Sequence, residues 1–191
     1  LKVNMSSENT KIKSEFIIYE NLNRKRSDKY EYIFPRVELV KNLQNKTKLN
    51  GNFEFKTNSF IHNYNTNIYE KVNTNNLIFT STPKITKKGF NNNFEFIVKN
   101  SNTDSQKTKI NKEGNDYYLS SLFQINSKYP LIKRNEKYKN LFTPKMSLKL
   151  SPGHSKDLSK DEYRLNVDNI FDLDRISSND TLEGGASLTY G

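Results

Sequence analysis

The stretch FTPKMSLKLS at residues 142–151 alternates apolar and polar side chains almost without interruption. Because successive side chains of a β-strand point to opposite faces, this pattern predicts a strand with one apolar and one cationic face. Pro144 lacks a backbone N–H and therefore predicts an irregularity in the strand. The apolar face either lines a protein core or contacts lipid. The apolar face carries Phe142, Met146, Leu148 and Leu150. The cationic face carries Lys145 and Lys149.

The same alternation recurs along the chain, while helical periodicity is nearly absent. Alternation repeated over about 8–11 residues at a time is typical of an antiparallel sheet. Connections rich in Asn, Lys, Ser, Gly and Asp, such as NSNTDSQKTKINKEGN, STPKITKKG and SPGHSKDLSKDE, are predicted to be surface loops. We predict strands near residues 12–20, 30–41, 47–57, 66–80, 92–99, 116–127, 141–150, 163–169 and 182–190.

Composition narrows the choice of partner without identifying one. The 191 residues are 33% hydrophobic and 27% charged, with a net charge of +10. This length suits one domain, but the supply of aliphatic residues is poor for a large dry core. The basic balance suggests nucleic acid, anionic lipid or a phosphorylated glycan. An AT-rich genome also enriches Lys and Asn, so the charge alone identifies no ligand. The absence of cysteine excludes disulfides and thiolate chemistry in this segment.

The two ends of the chain predict an internal fragment of a longer protein. The chain begins at Leu1 without an initiator Met or an apolar signal segment, and it ends on SLTYG, in what looks like a strand. No window approaches the roughly 18 apolar residues of a membrane helix. Contact with a bilayer would therefore require a closed barrel, because hydrocarbon cannot satisfy unpaired backbone groups.

The sequence offers almost no support for an enzyme. Its two histidines, His62 and His154, lie in polar surroundings and are predicted to be solvated loop residues. No nucleophile elbow or phosphate-binding loop is present. Asp168, Asp172 and Asp174 superficially resemble a calcium loop but lack its glycine and terminal glutamate. We therefore predict no catalytic residue, no metal and no cofactor.

Nucleic-acid binding is the least favoured alternative. A sheet that stacks bases presents aromatic and cationic side chains on the same face. In LNGNFEFKT, by contrast, Phe53 and Phe55 lie opposite Glu54 and Lys56. This segregation argues against a stacking platform, although it does not exclude simple attraction to phosphate.

The C-terminal third carries a distinctive order of features. LFTPKMSLKLSPG is followed by NIFDLDRISSNDTLEGGASLTYG. This order resembles the barrel of the LPS-assembly protein LptD family, also called organic solvent tolerance proteins. There, a Pro-containing strand ending in Ser-Pro precedes a loop of the type N-x-F-x-x-(N/D)-R and an acidic-Gly strand. The resemblance is distinctive from about residue 139, loose before it, and least over residues 1–28. The matching residues are Pro144, Ser151, Pro152, Asn169, Phe171, Asp174, Arg175, Glu183, Gly184, Gly185 and Gly191.

The resemblance implies an all-β fold whose antiparallel strands form part of a large transmembrane outer-membrane β-barrel. Residues 1–191 would supply mid-barrel strands and loops, with an N-terminal periplasmic β-jellyroll domain and the remaining strands outside this fragment. The implied function is lipopolysaccharide transport and assembly at the cell surface, without an enzymatic step. The implied partners are lipopolysaccharide, the plug lipoprotein LptE and the bridge protein LptA. A general porin or receptor-type barrel is the alternative.

The resemblance also assigns the two strand faces. Phe142, Met146, Leu148 and Leu150 would face hydrocarbon, because a lysine facing lipid near the midplane costs about 2–4 kcal/mol. The residues that would face a hydrated lumen and the phosphates of lipid A are Lys145, Lys149, Arg164 and Arg175. The apolar residues of NIFDLDRISSND further predict that this loop folds inward or packs across the barrel mouth, with Arg175 held by Asp174 or another acid. The alternative is a loop that packs only on its neighbour.

Overall fold

The computed structural model describes residues 1–23, 29–65, 68–108, 113–135, 137–153, 165–178 and 181–191, and over these ranges the chain is all-β. No helix among these residues is long and apolar enough to cross a membrane. Every strand pairing is antiparallel. The strands are β1 Lys2–Ser6, β2 Thr10–Glu20, β3 Tyr30–Leu43, β4 Gly51–Asn65, β5 Ile68–Ser81, β6 Lys84–Ile85, β7 Asn91–Gln106, β8 Gly114–Lys128, β9 Leu131–Arg134, β10 Lys139–Phe142, β11 Lys145–Ser151 and β12 Gly185–Tyr190.

Ten of these strands form one sheet in the order β1-β2-β3-β4-β5-β7-β8-β11-β12, with the short β6 paired to β7. Strands β9 and β10 form a separate two-stranded hairpin. Among the described residues, β1 and β12 each pair on one side only, so the sheet is open at both edges. The backbone N–H groups of Lys145 and Gly191 each donate to the other residue's carbonyl, which extends the β11–β12 pairing by one step.

One face of the sheet carries a continuous apolar row. The strand registers place Phe53 opposite Phe79, Phe79 opposite Phe96, Phe96 opposite Phe123, and Phe123 opposite Leu150. The Phe53 and Phe79 ring centroids lie 4.6 Å apart, and those of Phe79 and Phe96 lie 5.5 Å apart. Phe79 is fully buried by its neighbours on this face. Cross-strand aromatic pairs of this kind contribute beyond the area they bury, so the row fixes the register of five strands.

Away from this row, β5 over residues 73–76 and β7 over residues 99–106 carry polar side chains on both faces. Lys71 of β5 pairs with Asp104 of β7 at 3.0 Å, and the Asn75 amide donates to Asn100 at 3.4 Å. Strands β4 and β7 continue to Asn65 and Gln106, well beyond the predicted ends at 57 and 99, so the prediction of a loop from residue 100 is wrong. Here the backbone N–H and C=O groups are paired between the strands, and hydrogen bonds between amide side chains replace apolar contacts across them.

Two other sequence predictions are also corrected. The predicted strand 141–150 is broken at Thr143 and Pro144, where the proline has no N–H to donate, although its carbonyl accepts from the Tyr129 backbone N–H at 3.0 Å. Phe142 consequently lies in the β9–β10 hairpin and not on the sheet face of β11. The predicted strand 163–169 does not form over residues 165–169, which make a turn; its first two residues lie outside the described ranges.

Candidate functional site

A long segment after β11 crosses the polar face of the sheet, over β7, β8, β11 and β12. We call residues 165–178 and 181–184 the strap. Its first turn is closed by two asparagines, since the Asn166 carboxamide oxygen accepts from the backbone N–H groups of Asp168 and Asn169 at 2.9 and 3.0 Å. The Asn169 carboxamide oxygen accepts in return from the Asn166 backbone N–H at 2.9 Å. Asparagine side chains that bond nearby backbone in this way replace a helix or strand with a defined turn.

Lys99 of β7 is the most deeply buried cation that contacts the strap. Its side chain is 2% exposed, and its ammonium group donates to the Asp174 carboxylate at 2.8 Å. The same group also donates to the backbone carbonyls of Ser178 and Thr181. An ammonium group has three donors, and all three are used here. This full set of partners offsets the cost of removing the charge from water.

Two further side chains of the sheet bind the strap backbone. The Gln124 amide of β8 donates to the Phe171 carbonyl at 2.8 Å. The Lys149 ammonium group of β11 donates to the carbonyls of Asp172 and Leu173. Three consecutive strap carbonyls, which have no strand ladder to join, thus receive side-chain donors from the sheet.

Arg175 connects the strap to β12. Its guanidinium group makes a two-pronged ion pair with the Glu183 carboxylate, with one prong of 2.7 Å from Nε. It also donates to the hydroxyl of Ser187 at 3.0 Å and to that of Thr189 at 3.4 Å. The planar fork of arginine matches a carboxylate in this geometry, so the contact fixes orientation as well as charge.

An apolar cluster lies between the strap and the sheet. Ile97 of β7, Leu122 of β8 and Leu182 of the strap are each at most 3% exposed, and Ile78 and Leu173 pack against them. In the sequence, Ile97 and Leu122 are apolar residues at alternating positions that are otherwise polar in their strands. The strap explains this exception, because these are the positions that it covers.

The structure places most of the sequence-selected residues at this site. Lys149 lies beneath the strap and Arg175 within it, whereas Lys145 is exposed at its border, with its ammonium group 5.8 Å from the Phe171 ring centroid. Arg164 and His154 lie outside the described residues. The side chains on the opposite, apolar face of β11 are Met146, Leu148 and Leu150, all exposed.

The positions shared with the LptD pattern meet in the strap and beside it. Pro144 precedes β11, and Gly184 directly precedes β12. Five other shared positions make strap contacts through side chain or backbone: Asn169, Phe171, Asp174, Arg175 and Glu183. Sequence reasoning missed Lys99 and Gln124, whose partners are 75 and 47 residues away along the chain.

His62 is not the solvated loop residue that the sequence suggests. It lies within β4, its ring stacks on Tyr64 at 3.8 Å between centroids, and its Nε2 is 3.7 Å from the Glu31 carboxylate. Within the described part of the chain, no cluster of three or more His, Cys, Asp or Glu side chains could hold a metal ion.

A cleft of about 460 Å³ lies beside the strap on the polar side of the sheet. Its lining mixes acids, amides and lysines with one aromatic ring, and includes Glu95, Asn126, Lys128, Lys145, Asp168 and Phe171. Such a lining, with three carboxylates and two lysines, suits the binding of a polar group that carries both donors and acceptors. No family model, curated protein or solved structure matches the chain.

Proposed function

We propose that this chain forms part of the wall of a large outer-membrane β-barrel that delivers lipopolysaccharide to the cell surface. The apolar face of the sheet supports a membrane position. Strands β4, β5, β7 and β8 have 14–16 residues, more than the roughly 9–11 that a tilted strand needs to cross a bilayer. The Phe-bearing ends of these strands fit the hydrocarbon, and the Asn-rich part of β7, residues 99–106, extends beyond it.

The open edges fit the same proposal. An unpaired strand edge exposes backbone N–H and C=O groups, and hydrocarbon offers them no partner. In a bilayer, β1 and β12 would therefore each pair with a further strand, and repeated pairing would close the barrel. The apolar row then faces lipid, and the polar face with its strap faces a hydrated lumen.

The observation that carries the lipopolysaccharide proposal is the position of the LptD-like residues. Phe171, Asp174, Arg175 and Glu183 are not scattered over loop tips but hold the strap on the polar face. The strap therefore carries the residues that resemble the family and also shapes the surface that would face the lumen. A transport path specific to the family requires such a combination. The plug lipoprotein LptE and the bridge protein LptA belong to the same proposal, as partners in the outer membrane and the periplasm.

Lys145 is the residue through which this proposal is most directly tested. It is exposed beside the cleft, whereas the Lys149 ammonium group is occupied by strap carbonyls. A photo-crosslinking amino acid at position 145, in the full chain produced in Gram-negative cells, is expected to crosslink lipopolysaccharide during transport. The matched control is position 148 on the opposite face of β11, where the probe is expected to crosslink bulk phospholipid instead.

Three outcomes separate the candidate functions. Lipopolysaccharide on the probe at 145 but not at 148 supports the proposal. A membrane-inserted chain that shows solute flux and no lipopolysaccharide crosslink at 145 overturns it in favour of a general porin or receptor-type barrel. A chain that stays dissolved and folded without any amphiphile overturns the membrane position itself and favours a soluble basic β-domain.

A further inference from the structure

A second concave site lies on the apolar face, at the opposite end of the strands from the Asn-rich part. The pocket has a volume of about 530 Å³, within the range of small-molecule sites. Phe94, Phe123 and Ile125 form its apolar floor, and Lys48 and Lys84 line its polar side. This site shares no lining residue with the cleft beside the strap except Asn93.

The connections that form the pocket walls are held by internal hydrogen bonds. The Asn45 amide donates to the carbonyls of Leu49 and Gly51 at 2.6 and 2.7 Å, which fixes the β3–β4 connection. The Thr86 backbone N–H donates to the Phe90 carbonyl at 2.8 Å, and the Thr86 hydroxyl accepts from the Phe90 N–H at 3.1 Å. The walls are therefore set before a ligand arrives, which lowers the ordering cost of binding.

The charge around this pocket has one sign. The two connections that form its walls, residues 44–50 and 82–90, contain five lysines and no Asp or Glu. No carboxylate lines the pocket among the described residues. An apolar floor beside two lysines, with no carboxylate in the described lining, matches a molecule with a hydrocarbon chain and an anionic head.

We propose that this pocket binds one anionic glycerophospholipid of the phosphatidylglycerol type. One acyl chain would lie over Phe94, Phe123 and Ile125, and the phosphate would lie between Lys48 and Lys84. The inference rests on the proposed membrane position of the apolar face and adds a specific lipid site to it. It also assigns the lysine-rich connections to the headgroup level of a leaflet that contains phospholipid.

The absence of tryptophan from the chain gives a clean optical test. Ile85→Trp places a single fluorophore next to Lys84, at a side chain that is 75% exposed and outside the pocket lining. The full chain is reconstituted in phosphatidylcholine vesicles containing a small fraction of brominated phosphatidylglycerol, or the same fraction of brominated phosphatidylcholine. We expect stronger quenching by the phosphatidylglycerol, and an apparent affinity that falls by about fivefold for each lysine changed to Gln.

Matched variants separate this inference from the membrane proposal. Leu188→Trp reports from β12 on the same apolar face, away from the pocket, and is expected to respond equally to both lipids. Replacing both lysines with Arg is expected to retain the preference at position 85. Equal quenching there by both lipids overturns the lipid site but leaves the membrane position intact. Stronger quenching by brominated lipid A overturns the choice of occupant, and no quenching at either position overturns both proposals.

Discussion

Lys56 and Lys99 lie in one row of the polar face, with Asn76 of β5 between them. Each forms an ion pair of 2.8 Å, Lys56 with Glu54 and Lys99 with Asp174. The Lys56 side chain is 44% exposed and the Lys99 side chain is 2% exposed. The difference lies in the source of the partner, because Glu54 is on the same strand whereas Asp174 comes from the strap, 75 residues away.

The comparison divides the polar face into an open and a covered part. In the open part, over β1 to β4, partly exposed pairs such as Lys13–Glu38 at 3.5 Å and Arg36–Glu38 at 3.1 Å form a ladder. Such pairs contribute little to stability and are screened by salt, so their side chains stay available to a ligand. In the covered part the cations are already occupied, and they determine where the strap lies.

Lys99→Met should have the largest effect on how often the strap opens away from the sheet. Removal of one partner of a buried ion pair costs about 3–5 kcal/mol, because the other charge stays without its counter-ion. Here the carbonyls of Ser178 and Thr181 also lose their donor. The chain has no native cysteine, so Thr181→Cys, at a fully buried position, reports strap opening through its labelling by a water-soluble maleimide. We expect labelling to become more than about 100-fold faster.

Lys56→Met is the matched control for this measurement. This variant removes a lysine from the same row, but the ion pair that is broken is exposed. Loss of an exposed pair lowers the free energy of unfolding by about 0.2–1 kcal/mol. The labelling rate at position 181 should therefore stay within about twofold of the reference. Similar rates in the two variants would mean that the Lys99 contacts do not hold the strap.

The second effect should come from Leu182→Ala. This side chain is 1% exposed and packs on Ile97 and Leu122, so its truncation leaves a cavity worth about 2–4 kcal/mol. Labelling at position 181 is expected to accelerate by more than about tenfold. Leu188→Ala on the opposite, exposed face of β12 leaves no such cavity and should not change the rate. An unchanged rate in Leu182→Ala would assign strap docking to the polar contacts alone.

Alternation predicted the sheet because a period of two is a local property of the sequence. The strands near 12–20, 30–41 and 116–127 match β2, β3 and β8 to within about two residues. The aromatic half of β7 was equally visible in NFEFIVK. The polar half was not, since NSNTDSQ has no apolar parity and its strand conformation depends on cross-strand pairing with β5 and β8.

The strap was only partly predictable, for a related reason. The apolar residues of NIFDLDRISSND indicated burial. Arg175 was predicted to pair with Asp174 or another acid; its partner is Glu183, and Asp174 pairs with Lys99 instead. The sheet residues beneath it were not found, because a lysine on a polar strand face has the same local sequence whether or not a distant segment covers it. The one local signal was Leu122, an apolar residue among the polar side chains of its strand face. It marks a position where this face is covered and shielded from water.

The smallest effect should come from Arg175→Lys, which keeps the charge but removes the fork. Lysine can retain one contact with Glu183, while the second prong and the hydroxyl contacts with Ser187 and Thr189 are lost. Hydrogen bonds to charged groups contribute about 1.5–3 kcal/mol, but part of this is retained, so we expect labelling at position 181 to rise by about tenfold. Arg175→Met, which also leaves Glu183 without its counter-charge, should raise it further. Equal rates in the two variants would show that charge without geometry contributes nothing at this position, and that the strap is held on β12 by the fork itself.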